Sequence, residues 1–129
     1  MTSISGLIEN DHFLFDLYDG LPSFEEINLH QIILNWDGPR ASLVFDLNSF
    51  PTNPPKKWHK FNTAQVELSL FPLLKVNLEN FSNGNICNLL IERQKDLIYV
   101  YATGGSQAQF IASSAQIAGV SAYSNSPQA

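Results

Sequence analysis

At 129 residues the chain is long enough to bury one core without disulfides or metal, and its 44% hydrophobic and 15% charged composition excludes long disordered segments. A formal net charge of -5 argues against a nucleic-acid partner, whose phosphates it would repel. The lone Cys87 has no internal disulfide partner, no stretch has the uncharged length of a membrane span, and the N-terminus lacks the basic start and apolar run of a secretory signal. The reading is a soluble, cytoplasmic protein with no membrane partner: one domain over residues 1–124 and a disordered tail over 125–129. Charge is uneven along the chain. From Met1 to Pro39 there are seven carboxylates (Glu9, Asp11, Asp16, Asp19, Glu25, Glu26 and Asp37) and no Lys or Arg, whereas the remainder carries five acids and seven bases.

Ile4, Leu7 and Ile8, then Phe13, Leu14, Leu17 and Tyr18, recur at helical spacing, with Ser3 or Asp11 as caps and Gly20 as a stop, which predicts one or two short N-terminal helices. Pro22 prevents continuation, and from Phe24 the period becomes two. Ile27 and Leu29 share one parity while Ile32, Leu34 and Trp36 take the other, so the first strand needs a bulge near Gln31 or a sharp bend. Asp37-Gly38-Pro39 closes a hairpin into a return strand with Ala41, Leu43, Phe45 and Leu47 inward and Ser42, Val44 and Asp46 outward.

Prolines make Asn48 to Lys60 a loop. Two strands follow, one through Ala64, Val66, Leu68 and Leu70 and, past Pro72, another through Leu74, Val76 and Leu78. Ser82 to Asn85 turns into a more buried strand from Ile86 to Arg93, in which Cys87 reads as a core thiol. Leu97 to Thr103 is the next strand, and Gly104-Gly105-Ser106 turns again. The small-residue-rich final pair, Gln107 to Ala112 and Gln116 to Tyr123, is expected at a sheet edge. The predicted class is mainly β (α+β): an antiparallel meander of about eight strands, as a sandwich or strongly curved sheet. Leu43, Phe45, Val66, Leu68, Val76, Leu89 and Ile91 are the predicted core.

Little in the chain carries catalytic chemistry. His12, His30 and His59 fall on a helix, a strand and a loop without a second ligand at metal-binding spacing, and His30 reads as a sheet-face residue. Gly104-Gly105 sits between strands, where a hairpin turn is expected and an anion nest is not. No nucleophile elbow occurs, and Glu25 and Glu26, as strand neighbours, point to opposite faces. Catalytic residues, metal and cofactors are therefore all expected to be none. In the loop Pro54 to Phe61, Lys56, Lys57 and Lys60 read as solvated, while Trp58 and Phe61 plug an open end of the sheet.

Pro22-Ser23-Phe24-Glu25-Glu26, the strand after it with its Asp37-Gly38-Pro39 hairpin, the Pro54-Pro55-Lys56-Lys57-Trp58 loop followed by Phe61-Asn62, and the Phe81 to Asn85 turn occur in an order that resembles the bacterial family called Immunity protein 50. The likeness runs from about Phe13 to Tyr123. Family members resemble antidotes encoded beside polymorphic toxins, which implies a protein that is no enzyme and that neutralises one cognate toxin domain by occluding its active or binding surface. The family pattern often carries a His-Asp pair after Pro-Ser-Phe. Here the pair is Glu25-Glu26, so no histidine role carries over, and the family supplies no catalytic residue.

The acidic third agrees with a basic toxin as partner. The candidate partner-binding residues are Asp16, Tyr18, Asp19, Phe24, Glu25 and Glu26, with Trp36 a further aromatic, and Lys56, Lys57 and Trp58 form a secondary candidate loop. Rival readings are a small hydrolase or lyase with a carboxylate site in a β-sheet cleft, and a sugar- or peptide-binding β-domain using Tyr99 and Tyr101. The expected state is a monomer or a weak homodimer through the apolar edge Ile117 to Tyr123.

Overall fold

The computed structural model describes residues 8–20, 22–81 and 85–125. In chain order it contains β1 (Ile8–Glu9), α1 (His12–Tyr18), β2 (Ile27–Asn35), β3 (Arg40–Asp46), a single 3-10 turn at Lys56–Trp58, β4 (Thr63–Glu79), β5 (Ile86–Gln94), β6 (Leu97–Gly104) and β7 (Gln107–Tyr123). The strands form one sheet in the order β1-β7-β4-β3-β2-β5-β6, and a further pairing of β6 with β7 joins its two sides. Strands β2 to β7 therefore close into an antiparallel ring. β1 is added parallel to β7 through Ile8 opposite Ala115, which makes the whole sheet mixed. Among the described residues the protein is mainly β with one short helix, as the sequence predicts.

Side-chain parity builds the core. Ala41, Leu43 and Phe45 of β3 face inward beside Val66, Leu68 and Leu70 of β4, and Leu89, Ile91, Ile98, Val100, Phe110 and Ile117 complete a continuous buried cluster. The parity break in β2 is a real bulge: the pairing with β3 shifts between Leu29 and Gln31. Asn35 pairs with Arg40 across the expected hairpin. Cys87 is buried, which raises its thiol pKa and makes it an inert packing residue.

α1 starts after Asp11, and its C-terminal cap is Asp19 in the left-handed region (φ 55°), followed by Gly20, whose N–H returns to the Phe15 carbonyl at 3.0 Å. Ile8 lies in β1, outside any helix. Ser3, Ile4 and Leu7, and the part of the Ser82 to Asn85 turn before Asn85, lie outside the described residues, as do residues 126–129 of the predicted tail. Asn125 exchanges hydrogen bonds with Asn62.

Four expectations are corrected. Pro72 does not split two strands: β4 runs unbroken for 17 residues. Its pairing with β3 ends at Leu70, so the proline falls where β3 no longer needs a donor, and the β7 side absorbs it with a register shift between Leu73 and Lys75. Likewise β7 is a single 17-residue strand, so the described residues hold seven strands where the sequence predicts about eight. Nor is β7 an edge strand. It pairs with β4 along nearly its full length, with β6 at its start and with β1 further on. Its Ala108, Ala112 and Ala115 leave room inside the closed sheet for the fully buried Phe110. Finally, Val76 is more than a third exposed although its parity is inward, because β4 there extends beyond the cover of β3. The strand from Ile86 also buries only one face, leaving Ile86 and Leu90 in solvent.

Candidate functional site

The residues singled out in the acidic third gather largely at one end of the ring, the end where β2 begins and β3 stops. A chain of hydrogen bonds fixes them there. The Tyr18 hydroxyl donates to the Ser49 carbonyl at 2.7 Å, Asn53 N–H donates to the Leu17 carbonyl at 3.0 Å, and Asn48 Nδ2 donates to the Glu25 carbonyl at 2.9 Å. Thus the loop after β3 stitches the C-terminus of α1 to the Ser23–Glu26 segment. Glu26, held at a positive φ of 49°, donates its N–H to Asn88 Oδ1 at 2.7 Å, and Glu25 N–H bonds Ser23 Oγ at 3.0 Å. Leu14 and Leu17 are buried beneath α1, so Asp16 and Asp19 stay in solvent on an anchored helix.

Asp16, Asp19, Glu25 and Glu26 are exposed, and none makes an ion pair with another described residue. Their charge is therefore fully presented outward. Tyr18 is half-buried and burial raises its hydroxyl pKa well above the ordinary tyrosine value, so it stays a neutral donor. Phe24 is different. It is buried, edge-on to Phe45 with centroids 5.4 Å apart, and offers no surface to a partner. Asp37 and Trp36 are at the opposite end, on the β2–β3 turn, where Trp36 is 96% exposed.

The lysine loop is not across the molecule from these acids. Trp58 is buried and lies edge-on to Phe13 of α1 at 5.9 Å, so Lys56, Lys57 and Lys60 stand beside the helix that carries Asp16. The asymmetry along the sequence is thereby reduced in space, with a basic margin next to an acidic centre. Trp58 is buried against Phe13 and Phe50 at the edge of the core, Phe61 is only half-buried, and the lysines remain in solvent.

A polar cluster that sequence spacing did not show lies on the outer face of β2, β3 and β4. Asp46, only 3% exposed, has His30 Nε2 at 2.7 Å and receives hydrogen bonds from Gln65 Nε2 at 3.1 Å and from the Tyr123 hydroxyl. His30, two residues after Asn28 and next to inward Leu29, takes this face by strand alternation. A signal was available in the outward parity of Asp46, an acid on a strand too central to be fully solvated. Burial, and then the Asp46 hydrogen bond and charge, push the Tyr123 hydroxyl up to about 12. The raised folded pKa means that neutral Tyr123 contributes stability fully below pH 10 and loses it as pH rises through about 12. The urea midpoint is therefore expected to hold up to pH 10 and fall beyond it, and Tyr123→Phe should shrink that alkaline fall while lowering the midpoint at neutral pH. Equal alkaline curves for the two proteins would dismiss the assignment.

Among the described residues no group of three His, Cys, Asp or Glu side chains is placed to hold a metal ion. Three grooves on the surface have different linings. One, of about 240 Å³, runs over Asn77, Glu79, Tyr101 and Gln109. Another, of about 370 Å³, lies between Trp36 and Leu74. A third, of about 450 Å³, is bordered by Lys57, Lys60 and Phe61. None of the three gathers two carboxylates, the minimum for acid–base hydrolysis of a glycoside. Tyr99 and Tyr101 stack on each other at 6.3 Å and are half-buried, so their ring faces are partly occupied by one another. No described helix is long and apolar enough to cross a membrane.

No curated protein and no solved structure gives a significant match to the chain. A family model described as Immunity protein 50 matches residues 10–123, which takes in α1, all of β2 to β7 and the acidic end built on them. The chain belongs to the Immunity protein 50 family.

Proposed function

We propose that this protein is an antidote that binds one cognate toxin domain of basic surface inside the cell that makes both. It neutralises that domain by occluding the active or binding surface, with no turnover of its own. Membership of the immunity family supports this reading. The observation that carries its finer part is the set of four exposed, unpaired carboxylates, Asp16, Asp19, Glu25 and Glu26, on a backbone stitched together by the loop after β3. Docking such a surface costs less conformational entropy, because hydrogen bonds already hold the Leu17 and Glu25 carbonyls beside these acids. Carboxylates so held act as surrogates for phosphate in a basic cleft, and their long-range field speeds encounter. Tyr18 adds an aromatic body beside the acids, while its hydroxyl remains engaged with Ser49.

Expression of the toxin domain encoded beside this gene, alone and together with the antidote, tests the reading. Growth arrest by the toxin alone, rescue by co-expression, and a stoichiometric complex from purified proteins are expected. A protein that neither binds nor rescues, or that shows hydrolytic turnover abolished by Glu25→Gln or Glu26→Gln, would overturn it.

A further inference from the structure

The free edge of β4 points to a second copy of this chain. As far as Leu70, β4 is flanked by β3 on one side and β7 on the other. At Leu73 the N–H still finds a partner on the β3 side, the Pro39 carbonyl at 2.8 Å. From Leu74 to Glu79 only the β7 side is paired among the described residues. Its inward-parity residues are also apolar. Val76 and Leu78, opposite Phe110 and Ala108, face the interior side of the sheet yet are each more than a third exposed, and Leu74 is 57% exposed. Beside the edge, Leu34, Trp36, Pro39, Leu73, Leu74 and Val76 line the groove of about 370 Å³. An edge with one apolar face and unpaired backbone groups invites a further strand.

We propose that the further strand is β4 of a second copy, paired antiparallel about a two-fold axis through Asn77. In an isologous contact each residue meets the one equally far on the other side of the axis. The axis at Asn77 sets Lys75 opposite Glu79 of the second copy, twice, on the outer face. On the inner face it sets Val76 opposite Leu78, also twice. An axis at Val76 would set Lys75 against Asn77, and one at Leu78 would set Asn77 against Glu79, so neither matches opposite charges. An axis between two residues would place inward side chains opposite outward ones and is excluded by the pleat. The charge pattern of this edge is thus complementary to itself in one register only.

The groove fits the same arrangement. Past Glu79 the chain turns at Asn80, whose φ of 53° is left-handed, and Phe81 is 68% exposed. In the Asn77 register Glu79 of one copy lies opposite Lys75 of the other, so the turn that carries Phe81 begins beside Leu74 of that copy, which lines its groove. The pairing covers the free edge and sets the two apolar pairs of Val76 and Leu78 side by side.

Sedimentation velocity across micromolar to submillimolar concentrations tests the pairing. A reversible dimer is expected. Lys75→Glu and Glu79→Lys should each weaken it by about ten-fold or more, since each turns two attractive cross-strand pairs into repulsive ones. The double variant Lys75→Glu with Glu79→Lys should restore it. Both positions are exposed, so the melting temperatures of the single variants should stay near that of the parent, which separates a lost dimer from a lost fold. Asn77→Cys should form an interchain disulfide on oxidation, because directly opposed strand residues bring their Cα atoms within bridging range. Gln109→Cys, on the same face but on β7, should not. A monomer at every concentration, single reversals without effect, or a double variant no better than the singles would each overturn the proposal. So would reversals that weaken the complex with the toxin and leave self-association unchanged, since the edge would then belong to the toxin.

Discussion

Phe45→Ala is expected to lower the unfolding free energy by about 3 to 5 kcal/mol, and Leu68→Ala by about 2 to 5 kcal/mol. Phe45 is fully buried on β3, between Leu29 of β2 and Val66 of β4, with the Phe24 ring edge-on to its own. Leu68 is equally buried on β4, flanked by Leu43 and Ile117. Neither site can collapse easily, because hydrogen-bonded strands on both sides hold the cavity walls apart. A loss of that size is a large fraction of the roughly 5 to 15 kcal/mol available to a domain of this kind. Val76→Ala supplies the contrast: inward by parity but partly in solvent, it should cost under about 1 kcal/mol. Urea unfolding at constant m-value measures all three. A thermally silent Phe45→Ala would mean that the inward parity of β3, and with it the register of β3 against β2 and β4, is wrong.

Reversal of Asp16, Asp19, Glu25 and Glu26 to Lys is expected to slow association with a basic toxin by about ten-fold or more at low ionic strength and to flatten its salt dependence. All four side chains are exposed and unpaired, so the fold should survive, and relief of mutual repulsion should leave the melting temperature unchanged or slightly higher. The companion variant, Lys56, Lys57 and Lys60 to Glu, gains meaning from the packing of Trp58 on Phe13. Because the lysines border the acidic end, their reversal should speed association with a basic partner. Stopped-flow or surface-based kinetics at low and high salt would read both. If the lysine loop proves essential and the four carboxylates dispensable, the interface belongs on the Pro54 to Phe61 loop.

Much of the fold is legible in local pattern. The hairpin of β2 and β3, the inward row Ala41, Leu43 and Phe45, and even the bulge follow from parity, because each depends only on residues a few positions apart. Pro72 misleads because a proline forbids a strand only where a ladder bond is required, and β3 has already ended there. Ser113-Ser114 looks like a break, yet the Ser114 hydroxyl donates to the Phe71 carbonyl at 2.7 Å and the strand continues. Ring closure is invisible locally: nothing in the alternation of β6 or β7 says which edges meet. The same limit governs the site. Acidic density identifies Asp16, Asp19, Glu25 and Glu26, but an aromatic residue's pattern does not reveal whether it is an anchor or core, and Phe24 is core. His30 and Asp46 stand 16 residues apart and meet only across a strand pair.

The closing strand also dictates when the molecule becomes whole. β7 supplies the partner for almost all of β4, seals the ring against β6 and gives β1 its place, and it is the last of the described strands. The hairpin of β2 and β3 needs only local contacts, but Leu68, Leu70, Val100 and Ile98 gain their neighbours on β7 only when Ile117, Ala115, Phe110 and Ala112 dock beside them. The pairing of residues 8 and 115 closes a loop of more than a hundred residues, so the last step of folding is slow by topology. Until then the acidic end lacks its full support, since α1 follows directly on β1, and β1 is held by β7.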